Sequence, residues 1–381
     1  MKITLVNSFF PPWRGGAETY VYNLATNLRD RGNDVTIVCG DPPLGPGIRA
    51  SDGLKVNRLR MPGMVYGTPV MPELLPILLR EPADVLHANF PSPYVAFATA
   101  LAARLRKKPA VLTWHNDLPP VTLTASVLVA LHDRLILPSY LQWFRKVIAT
   151  SEVYAHTSRN LERIKAKVTV IPNGVDTHRF NPKVSGGDIT ANLGLERCKV
   201  VLFVGALTKW HRYKGLDILL RAFSLIDDSR FRLLVVGDGI LALEYRQLAS
   251  ALFITDRVIF AGDVPDSELP KYYACSDILV LPSKDRSEGF GLTLLEANAS
   301  GKPVIGTSVG GILSVIQDGF NGALVPPNDP ETLACKLKEL LCGPDRRLIE
   351  MGMNGRMFAE NLDWSVVAER TEKLYASVLS S

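Results

Sequence analysis

The chain has 381 residues, of which 47% are hydrophobic and 21% are charged, and this balance excludes a disordered or fibrous protein. The length predicts two domains of ordinary size. The net charge of +5 is uneven, because residues 1–180 hold 21 basic and 13 acidic side chains while the remainder holds 22 and 25. The basic first half favours binding to an acidic surface or substrate. Because no RNA-binding signature accompanies the basic residues, we expect no nucleic-acid partner.

The chain begins with a short apolar run, residues 3–6, that ends before two prolines. It is too short for a signal peptide and predicts a first β-strand. No run of about 18 uncharged apolar residues occurs, so no membrane-spanning helix is expected. The five cysteines include no C-x-x-C pair, which predicts neither a disulfide framework nor a zinc site and favours the reducing cytoplasm.

Short apolar runs alternate with longer amphipathic stretches along the whole chain. They predict a first series of strands at 3–6, 35–38, 85–88, 110–113, 146–150 and 168–171, and a second series at 200–204, 232–236, 258–261, 278–281, 304–307 and 322–325. Continuous apolar strands separated by helical segments are typical of parallel sheets covered on both faces.

Two such series predict two α/β domains, at 1–181 and 198–363. The stretch 182–197 contains three glycines and a proline without a sustained period, and it predicts a linker. The last segment, 364–381, has apolar residues at helical spacing and is expected to pack back on the N-terminal domain. Ligands of parallel sheets bind at the carboxyl ends of strands, so the expected site is a cleft between the domains.

The first chemical motif is P-P-W-R-G-G-A-E at 11–18, between the first strand and a helix. Its glycines let the backbone approach a ligand closely, and the helix start offers unpaired N–H groups to an anion. A tight strand–helix turn explains the same residues.

The second motif is S-E-G-F-G-L-T-L-L-E at 287–296, which follows the predicted strand 278–281. Glu288 lies in the loop and Glu296 inside the next helix, so one carboxylate can reach a sugar and the other a ribose, with the diphosphate at the helix start between them. Alternatively, Glu296 caps the helix or pairs with a neighbour on its surface.

The third motif is the basic loop 203–215, which carries Lys209, Arg212 and Lys214 after another strand. Cations there would neutralise a leaving diphosphate, a task that otherwise needs Mg²⁺. No D-x-D triplet occurs in the chain, so no metal is expected. An exposed basic loop is the plain alternative.

In their order and spacing, these motifs resemble those of the retaining glycosyltransferases of family 4, and the resemblance covers nearly the whole chain. The further matching segments are D-V-L-H-A (84–88), T-W-H-N (113–116), A-T-S-E (149–152), P-N-G-V-D (172–176), Y-K-G-L-D (213–217), G-D-G (237–239), Y-Y-A-C-S-D (272–277), L-P-S (281–283) and G-K-P-V-I-G-T (301–307). The resemblance implies the GT-B fold, two Rossmann-like domains facing across a cleft.

The resemblance implies that three side chains carry catalysis. His115 would lie beside the transferred sugar, Lys214 would bind the phosphates and Glu288 would contact the donor sugar. His115 would position the sugar and would not act as a general base. A hydrogen-bonded structural histidine is the alternative for His115, and His87 is expected to be structural.

The resemblance also implies a donor-binding set: Gly16, Gly237, Asp263, Val264, Gly289, Phe290, Gly291, Leu292, Thr293 and Glu296. Of these, Gly16 would contact the diphosphate from the N-terminal domain. Leu292 and Thr293 would offer helix-start N–H groups to the phosphates, and Glu296 would hold the ribose hydroxyls. Backbone near Gly237 and the pair at 263–264 would frame the base.

Two positions depart from the family pattern. The usual G-R-L is Gly205-Ala206-Leu207 here, so the phosphate arginine is absent, and Arg212 could substitute for it by reach. The acidic residue that usually follows a glycine pair is also absent from the segment G-G-I-L-S at 310–314.

The resulting prediction is metal-independent transfer of a hexosyl group, with retention, from a UDP- or GDP-linked sugar to an acceptor hydroxyl, without a cofactor. The apolar segment 118–145 favours a lipid-linked or cell-envelope glycan acceptor and a peripheral position on the inner face of the membrane. A buried domain helix is the alternative for that segment.

Two other functions stay open: a nucleotide-sugar epimerase of the same fold, and a non-catalytic protein that binds a sugar nucleotide. The segment 237–242 also matches a dinucleotide fingerprint loosely, but no acidic residue follows at a strand end about 20 positions on, so a dehydrogenase is disfavoured.

Overall fold

The computed structural model describes residues 1–13, 15–41, 47–51, 53–65, 68–118 and 123–380. The chain forms two compact units, of which the first comprises Met1–Asn173 with Trp364–Ser381 and the second comprises Gly174–Asp363. The segment 182–197, expected as a linker, therefore lies inside the second unit, where Gly187–Asn192 forms a helix.

The strands of the described residues are β1 Lys2–Val6, β2 Asp34–Gly40, β3 Gly47–Ser51, β4 Leu54–Leu59, β5 Gly63–Val65, β6 Thr68–Val70, β7 Val85–Phe90, β8 Ala110–Trp114, β9 Lys146–Ala149, β10 Val168–Val170, β11 Lys199–Val204, β12 Phe231–Val236, β13 Val258–Gly262, β14 Ile278–Leu281, β15 Val304–Thr307 and β16 Gly322–Val325. All twelve predicted strands are present, with small changes at their ends.

The helices are α1 Gly16–Asp30, α2 Leu74–Arg80, α3 Pro93–Arg106, α4 Leu123–Leu131, α5 Leu137–Leu141, α6 Glu152–Thr157, α7 Arg159–Glu162, α8 Gly187–Asn192, α9 Leu216–Ser224, α10 Ala242–Ala251, α11 Leu269–Ala274, α12 Leu292–Ala299, α13 Pro330–Leu341, α14 Asp345–Glu360 and α15 Trp364–Leu379. A π-helical turn, His132–Ile136, joins α4 to α5.

The first unit is built on one eight-stranded sheet in the order β10-β9-β8-β7-β1-β2-β4-β3. Its pairs are parallel except for β3 with β4 at one edge. Successive side chains of a strand point to opposite faces, and the buried ones form two apolar clusters, one including residues of α1 and α15 and the other residues of α2, α3 and α5. Both faces of the sheet are thus covered.

The second unit contains a six-stranded parallel sheet in the order β13-β12-β11-β14-β15-β16 around one large apolar cluster. Four strands of the first unit, β3 to β6, were not predicted. Strand β4 carries Lys55, Asn57 and Arg58, so it lacks the continuous apolar run that marks a buried strand, while β5 and β6 have three residues each.

A buried chain of hydrogen bonds ties the C-terminal helix to the first sheet. The Tyr375 hydroxyl on α15 bonds to Nδ1 of His87 on β7, and His87 Nε2 lies 2.7 Å from Thr113 Oγ1 on β8. Thr113 in turn lies 3.1 Å from the Tyr20 hydroxyl on α1. Burial lowers the pKa of His87 to about 3, so the ring is neutral. Both ring nitrogens are engaged by neighbouring side chains, which fits the structural role expected from the sequence.

Candidate active site

Two loops of the second unit meet where the direction of strand succession reverses. From β11 the chain proceeds to β12 and β13 on one side, whereas β14 lies on the other side of β11. The loops after β11 and β14 therefore leave adjacent carboxyl ends and part in opposite directions, the position where α/β sheets bind ligands. These loops, 205–215 and 282–291, overlap two of the three motifs predicted from the sequence, those at 203–215 and 287–296.

The two loops are held together through their backbones. The Lys284 N–H donates to the Tyr213 carbonyl at 2.7 Å. Gly215 has φ of +75°, and a Cβ on it would lie 2.0 Å from the Pro282 carbonyl oxygen, so only glycine permits this approach.

Lys214 and Glu288 form an ion pair across these loops. Lys214 Nζ lies 3.0 Å from Glu288 Oε2, and the two side chains are 14% and 7% exposed. The Ser283 hydroxyl donates to the same oxygen at 3.4 Å, and the Gly291 N–H donates to Oε1 at 3.1 Å. Both oxygens of the Glu288 carboxylate are thus held, which fixes its orientation.

The charge of Lys214 depends on its partner. Burial is the largest effect and acts to lower the pKa of the ammonium group. Attraction to Glu288 and Tyr213 and the hydrogen bond to Glu288 together outweigh it, and the net pKa is raised. The Glu296 carboxylate also raises the pKa of Lys214. Lys214 is therefore a permanent cation beside both predicted carboxylates.

Glu296 lies on α12 and is paired with a tyrosine. The Tyr273 hydroxyl of α11 donates to Glu296 Oε2 at 2.6 Å, and Tyr273 is itself fully buried. Burial raises the pKa of Glu296 to about 7, while the hydrogen bond from Tyr273 acts in the opposite direction. Glu296 is thus not paired on a helix surface but held by an interior group.

The glycine pair at 310–311 supports the Glu288 loop. The Gly311 N–H donates to the Glu288 carbonyl at 2.9 Å, and a Cβ on Gly311 would lie 2.1 Å from the Gly289 carbonyl oxygen. This contact requires a glycine at 311 and involves no acidic side chain. The absence of the family's acidic residue after the glycine pair therefore leaves the contact intact.

The start of α12 faces the same loops. Phe290 is buried, and Leu292 and Thr293 form the first turn, whose N–H groups lack intrahelical acceptors. Thr293 Oγ1 is enclosed and has no hydrogen-bond partner among the described residues. The turn therefore offers donors suited to an anion.

The predicted base-binding residues follow the two strands beyond β11. Gly237 follows β12, and its N–H donates to the Gly262 carbonyl at the end of β13 at 2.8 Å. Asp263, which is exposed, and Val264, which is buried, come next in the chain. The structure thus places Gly237, Asp263 and Val264 at neighbouring carboxyl ends of one sheet.

Arg212 is engaged elsewhere. Its two terminal nitrogens donate to both carboxylate oxygens of Glu244 on α10, at 2.6 and 2.7 Å, and both side chains are about half exposed. Lys209 is exposed, as the plain alternative predicted.

In the first unit, strand succession reverses between β1 and β7. His115 follows β8, which neighbours β7, and its Nε2 lies 3.1 Å from Oδ1 of Asn89 near the end of β7. Burial lowers the pKa of His115 to about 3, so the imidazole is neutral. The Tyr20 ring of α1 meets the His115 ring edge-on at 4.8 Å between centroids, which links His115 to the helix that begins at Gly16. Arg14, which belongs to the sequence motif at 11–18, lies outside the described residues.

The apolar segment predicted at 118–145 is largely helical, and its residues 119–122 lie outside the described part. Between 127 and 136, five large apolar side chains are exposed: Val127, Leu128, Leu131, Leu135 and Ile136. In contrast, Leu137, Tyr140 and Leu141 are buried. A wholly buried helix therefore does not describe this segment.

The described residues hold neither a metal-binding cluster nor a bilayer-spanning helix. No cluster of three or more histidine, cysteine, aspartate or glutamate side chains is arranged to hold a metal ion. None of the helices in that part of the chain has both the length and the apolar character of a bilayer-spanning helix.

Asn89, Tyr273 and Ser283 are not among the predicted residues, although each contacts one that is. Asn89 and Ser283 could have been suspected, because each is a polar residue at or just after the carboxyl end of a buried parallel strand. Tyr273 lies inside a helix and carries no such signal.

Comparison with known families matches residues 14–179 to the model described as Glycosyltransferase Family 4 and residues 189–358 to the model described as Glycosyl transferases group 1. Among curated proteins, the chain is 27% identical to the O-antigen chain mannosyltransferase C of Escherichia coli over 380 residues, 98% of this chain and 97% of that protein. It is 31% identical to the D-rhamnosyltransferase WbpZ of Pseudomonas aeruginosa over 349 residues, 89% of this chain and 86% of that one.

Among solved structures, Alr3699/HepE of Anabaena in complex with UDP aligns with a TM-score of 0.79 at 20% identity, covering 99% of this chain and 100% of that one. At this identity the likeness concerns the fold.

Proposed function

The chain belongs to the glycosyltransferases of the GT-B fold, and from this premise we propose that it transfers a hexosyl group, with retention of configuration, from a nucleoside diphosphate sugar to an acceptor hydroxyl. The observation that carries the proposal is the pair of Lys214 and Glu288 at the reversal point of the second sheet. A cation, a held carboxylate and a helix start lie together there, and these groups suit a diphosphate and a sugar.

In this proposal, the donor lies along the loops that the second sheet presents. The diphosphate contacts Lys214 and the N–H groups of Leu292 and Thr293. The sugar lies against Glu288 and the backbone of 289–291, the ribose binds Glu296, and the base lies near Gly237 and residues 263–264. In the first unit, the sequence resemblance assigns Gly16 to the diphosphate and His115 to the transferred sugar.

The transfer breaks the bond between the anomeric carbon and the phosphate oxygen and forms a bond to the acceptor oxygen on the same face. The acceptor proton passes to the leaving phosphate oxygen. Lys214 and the start of α12 stabilise the charge that develops on the leaving diphosphate, so we propose that the transfer needs no metal ion. Glu288 is engaged at both oxygens, which suits binding of sugar hydroxyls better than nucleophilic attack.

The names of the relatives support a choice of donor and acceptor. Their names describe transfer of mannose to an O-antigen chain and transfer of D-rhamnose, and HepE binds UDP. We accordingly propose a UDP- or GDP-linked hexose as donor and a lipid-linked or cell-envelope glycan as acceptor.

A membrane surface is part of this proposal. The exposed side chains between 127 and 136 form an apolar patch, flanked by the exposed Arg134 and by Arg163, whose guanidinium donates to the Asp133 carbonyl at 2.7 Å. Apolar side chains beside cations bind the interface of an anionic membrane. The enzyme would then act from the cytoplasmic face on an acceptor held in the bilayer.

The deciding experiment measures nucleotide release from UDP- and GDP-linked mannose, glucose and rhamnose, with and without a lipid-linked glycan acceptor and with and without EDTA. We expect release that depends on the acceptor, persists in EDTA and is lost in Lys214→Ala. The anomeric configuration of the product, read by NMR, tests retention. Conversion of the donor sugar without an acceptor would indicate an epimerase, and binding without turnover would indicate a non-catalytic protein.

A further inference from the structure

Asn89 occupies the centre of the reversal point in the first sheet. It lies one residue before the end of β7, between β1 and β8, and it is 2% exposed. Its Nδ2 donates to the Val6 carbonyl at the end of β1 at 3.2 Å, and its Oδ1 faces His115 Nε2 at 3.1 Å. One side chain therefore joins the ends of β1 and β7 to the residue that follows β8.

The orientation of the Asn89 amide follows from its partners. A backbone carbonyl can only accept a hydrogen bond, so the amide nitrogen must face Val6 and the amide oxygen must face His115. That oxygen also only accepts, so His115 Nε2 must carry a proton. Because the His115 ring is neutral, it carries one N–H group, and Nδ1 is left with a lone pair.

The His115 ring is also held in place by its surroundings. The backbone N–H of His115 donates to the Phe90 carbonyl at 3.1 Å, and the Tyr20 ring contacts the imidazole edge-on. Within the described residues, Nδ1 has no hydrogen-bond partner, and His115 keeps 9% of its surface exposed. Nδ1 is thus a positioned acceptor that none of the described residues uses.

We propose that Asn89 is a positioning residue that holds His115 as the Nε2–H tautomer, so that Nδ1 accepts a hydrogen bond from a hydroxyl of the transferred sugar. The sugar contact rests on the proposed function, whereas the tautomer does not. An imidazole in this state accepts a hydrogen bond and cannot donate one from Nδ1. The Nδ1 atom therefore selects nucleotide sugars that carry a hydroxyl at the contacted carbon over nucleotide sugars that carry hydrogen or fluorine there.

The tautomer is measured first, on the unliganded wild-type chain labelled with ¹⁵N-histidine. Long-range ¹H–¹⁵N correlation spectra separate the two tautomers, and His115→Ala identifies the signals. We expect the Nε2–H pattern, unchanged between pH 6 and pH 8. A predominant Nδ1–H pattern, or a protonated ring in this pH range, would overturn the proposal without bearing on glycosyl transfer.

The role of Asn89 is tested with Asn89→Ala, which removes the acceptor while adding no bulk. Asn57→Ala, a change of another buried asparagine in the same sheet, is the control. We expect the Nε2–H pattern to be lost in Asn89→Ala and kept in Asn57→Ala, and kcat to fall about 10- to 100-fold only in the former. An Asn89→Ala spectrum identical to the wild type would refute a positioning role, even if activity fell.

The sugar contact has its own test, which uses the wild type with donors fluorinated at single carbons. In the wild type, we expect kcat/KM to fall most for the donor fluorinated at one particular carbon. In His115→Ala, this difference between the fluorinated donors should disappear. If transfer occurs but all positions respond equally in both proteins, the Nδ1 contact is wrong while the proposed function stands.

Discussion

Lys214 Nζ lies 3.0 Å from Glu288 Oε2, and this ion pair joins two loops that leave adjacent strands in opposite directions. The cation expected to bind the diphosphate and the carboxylate expected to bind the sugar therefore hold each other. The sheet order explains the contact, because β11 and β14 are neighbours although 74 residues separate the two side chains.

Removing one partner of this pair should destabilise the second unit. We expect Lys214→Met to lower the free energy of unfolding by about 3–5 kcal/mol, because it leaves the Glu288 charge buried. The double variant Lys214→Met, Glu288→Gln should lose much less, although neither protein should turn over donor. Urea denaturation checks this, with Lys199→Met as the control, since its pair with the exposed Asp345 is worth at most about 1 kcal/mol. Equal losses in the single and double variants would contradict the argument.

Nucleotide binding should depend on pH through Glu296. Its pKa is raised to about 7, and ribose hydroxyls donate best to the ionised carboxylate. Affinity for the nucleoside diphosphate should therefore weaken as pH falls below about 7, approaching about tenfold per pH unit for one proton. Titration calorimetry between pH 5.5 and 8.5 measures this, and Glu296→Gln should leave only the dependence that comes from the terminal phosphate of the ligand, whose second pKa is about 6.

Tyr273 should set the midpoint of that pH dependence. Its hydrogen bond to Glu296 acts to lower the pKa of the carboxyl group, so Tyr273→Phe should shift the midpoint upward. The matched control is Tyr245→Phe, which removes the hydroxyl of another buried tyrosine in the same unit. A downward shift, or the same shift in both variants, would show that this hydrogen bond does not control Glu296.

Arg212 can act on the diphosphate only by leaving Glu244. Glu244→Gln weakens that pair and should tighten binding of the nucleoside diphosphate, whereas Arg212→Ala should weaken it about 3- to 10-fold if the arginine replaces the one absent at Ala206. Arg230→Ala is the control, because Arg230 precedes β12 at the opposite end of the sheet and is also paired with an aspartate. Unchanged affinity in both Arg212→Ala and Glu244→Gln would remove Arg212 from the site.

The patch between 127 and 136 should bind anionic membranes. Leu135→Ser with Ile136→Ser should reduce co-sedimentation with phosphatidylglycerol vesicles at least several-fold, because both side chains are more than half exposed. The control changes Ile349 and Met353 to serine, two similarly exposed apolar residues of the second unit. Equal vesicle binding by the wild type and the Leu135, Ile136 variant would exclude this surface from membrane contact.

Much of the fold could be predicted because its strands are buried on both faces. Each such strand is a continuous apolar run, and all twelve runs became strands of parallel sheets. The edge strand β3 and its neighbour β4 could not be recognised in this way, since β4 mixes charged and apolar side chains. Likewise, the sequence did not predict where the two units divide. The boundary lies at Asn173, before the glycine-rich stretch 182–197 that predicts a linker, because that stretch belongs to the second unit.

By itself, the sequence determined the family, the two parallel-sheet domains and the motif loops, since these depend on local patterns and on the order of motifs along the chain. The tertiary structure alone decided which side chains meet: Asn89 with His115, Tyr273 with Glu296, and Arg212 with Glu244. These contacts join residues 23 to 32 positions apart, and they depend on strand order, helix packing and side-chain direction. No local pattern encodes those three properties, because each arises only when separate elements pack against one another.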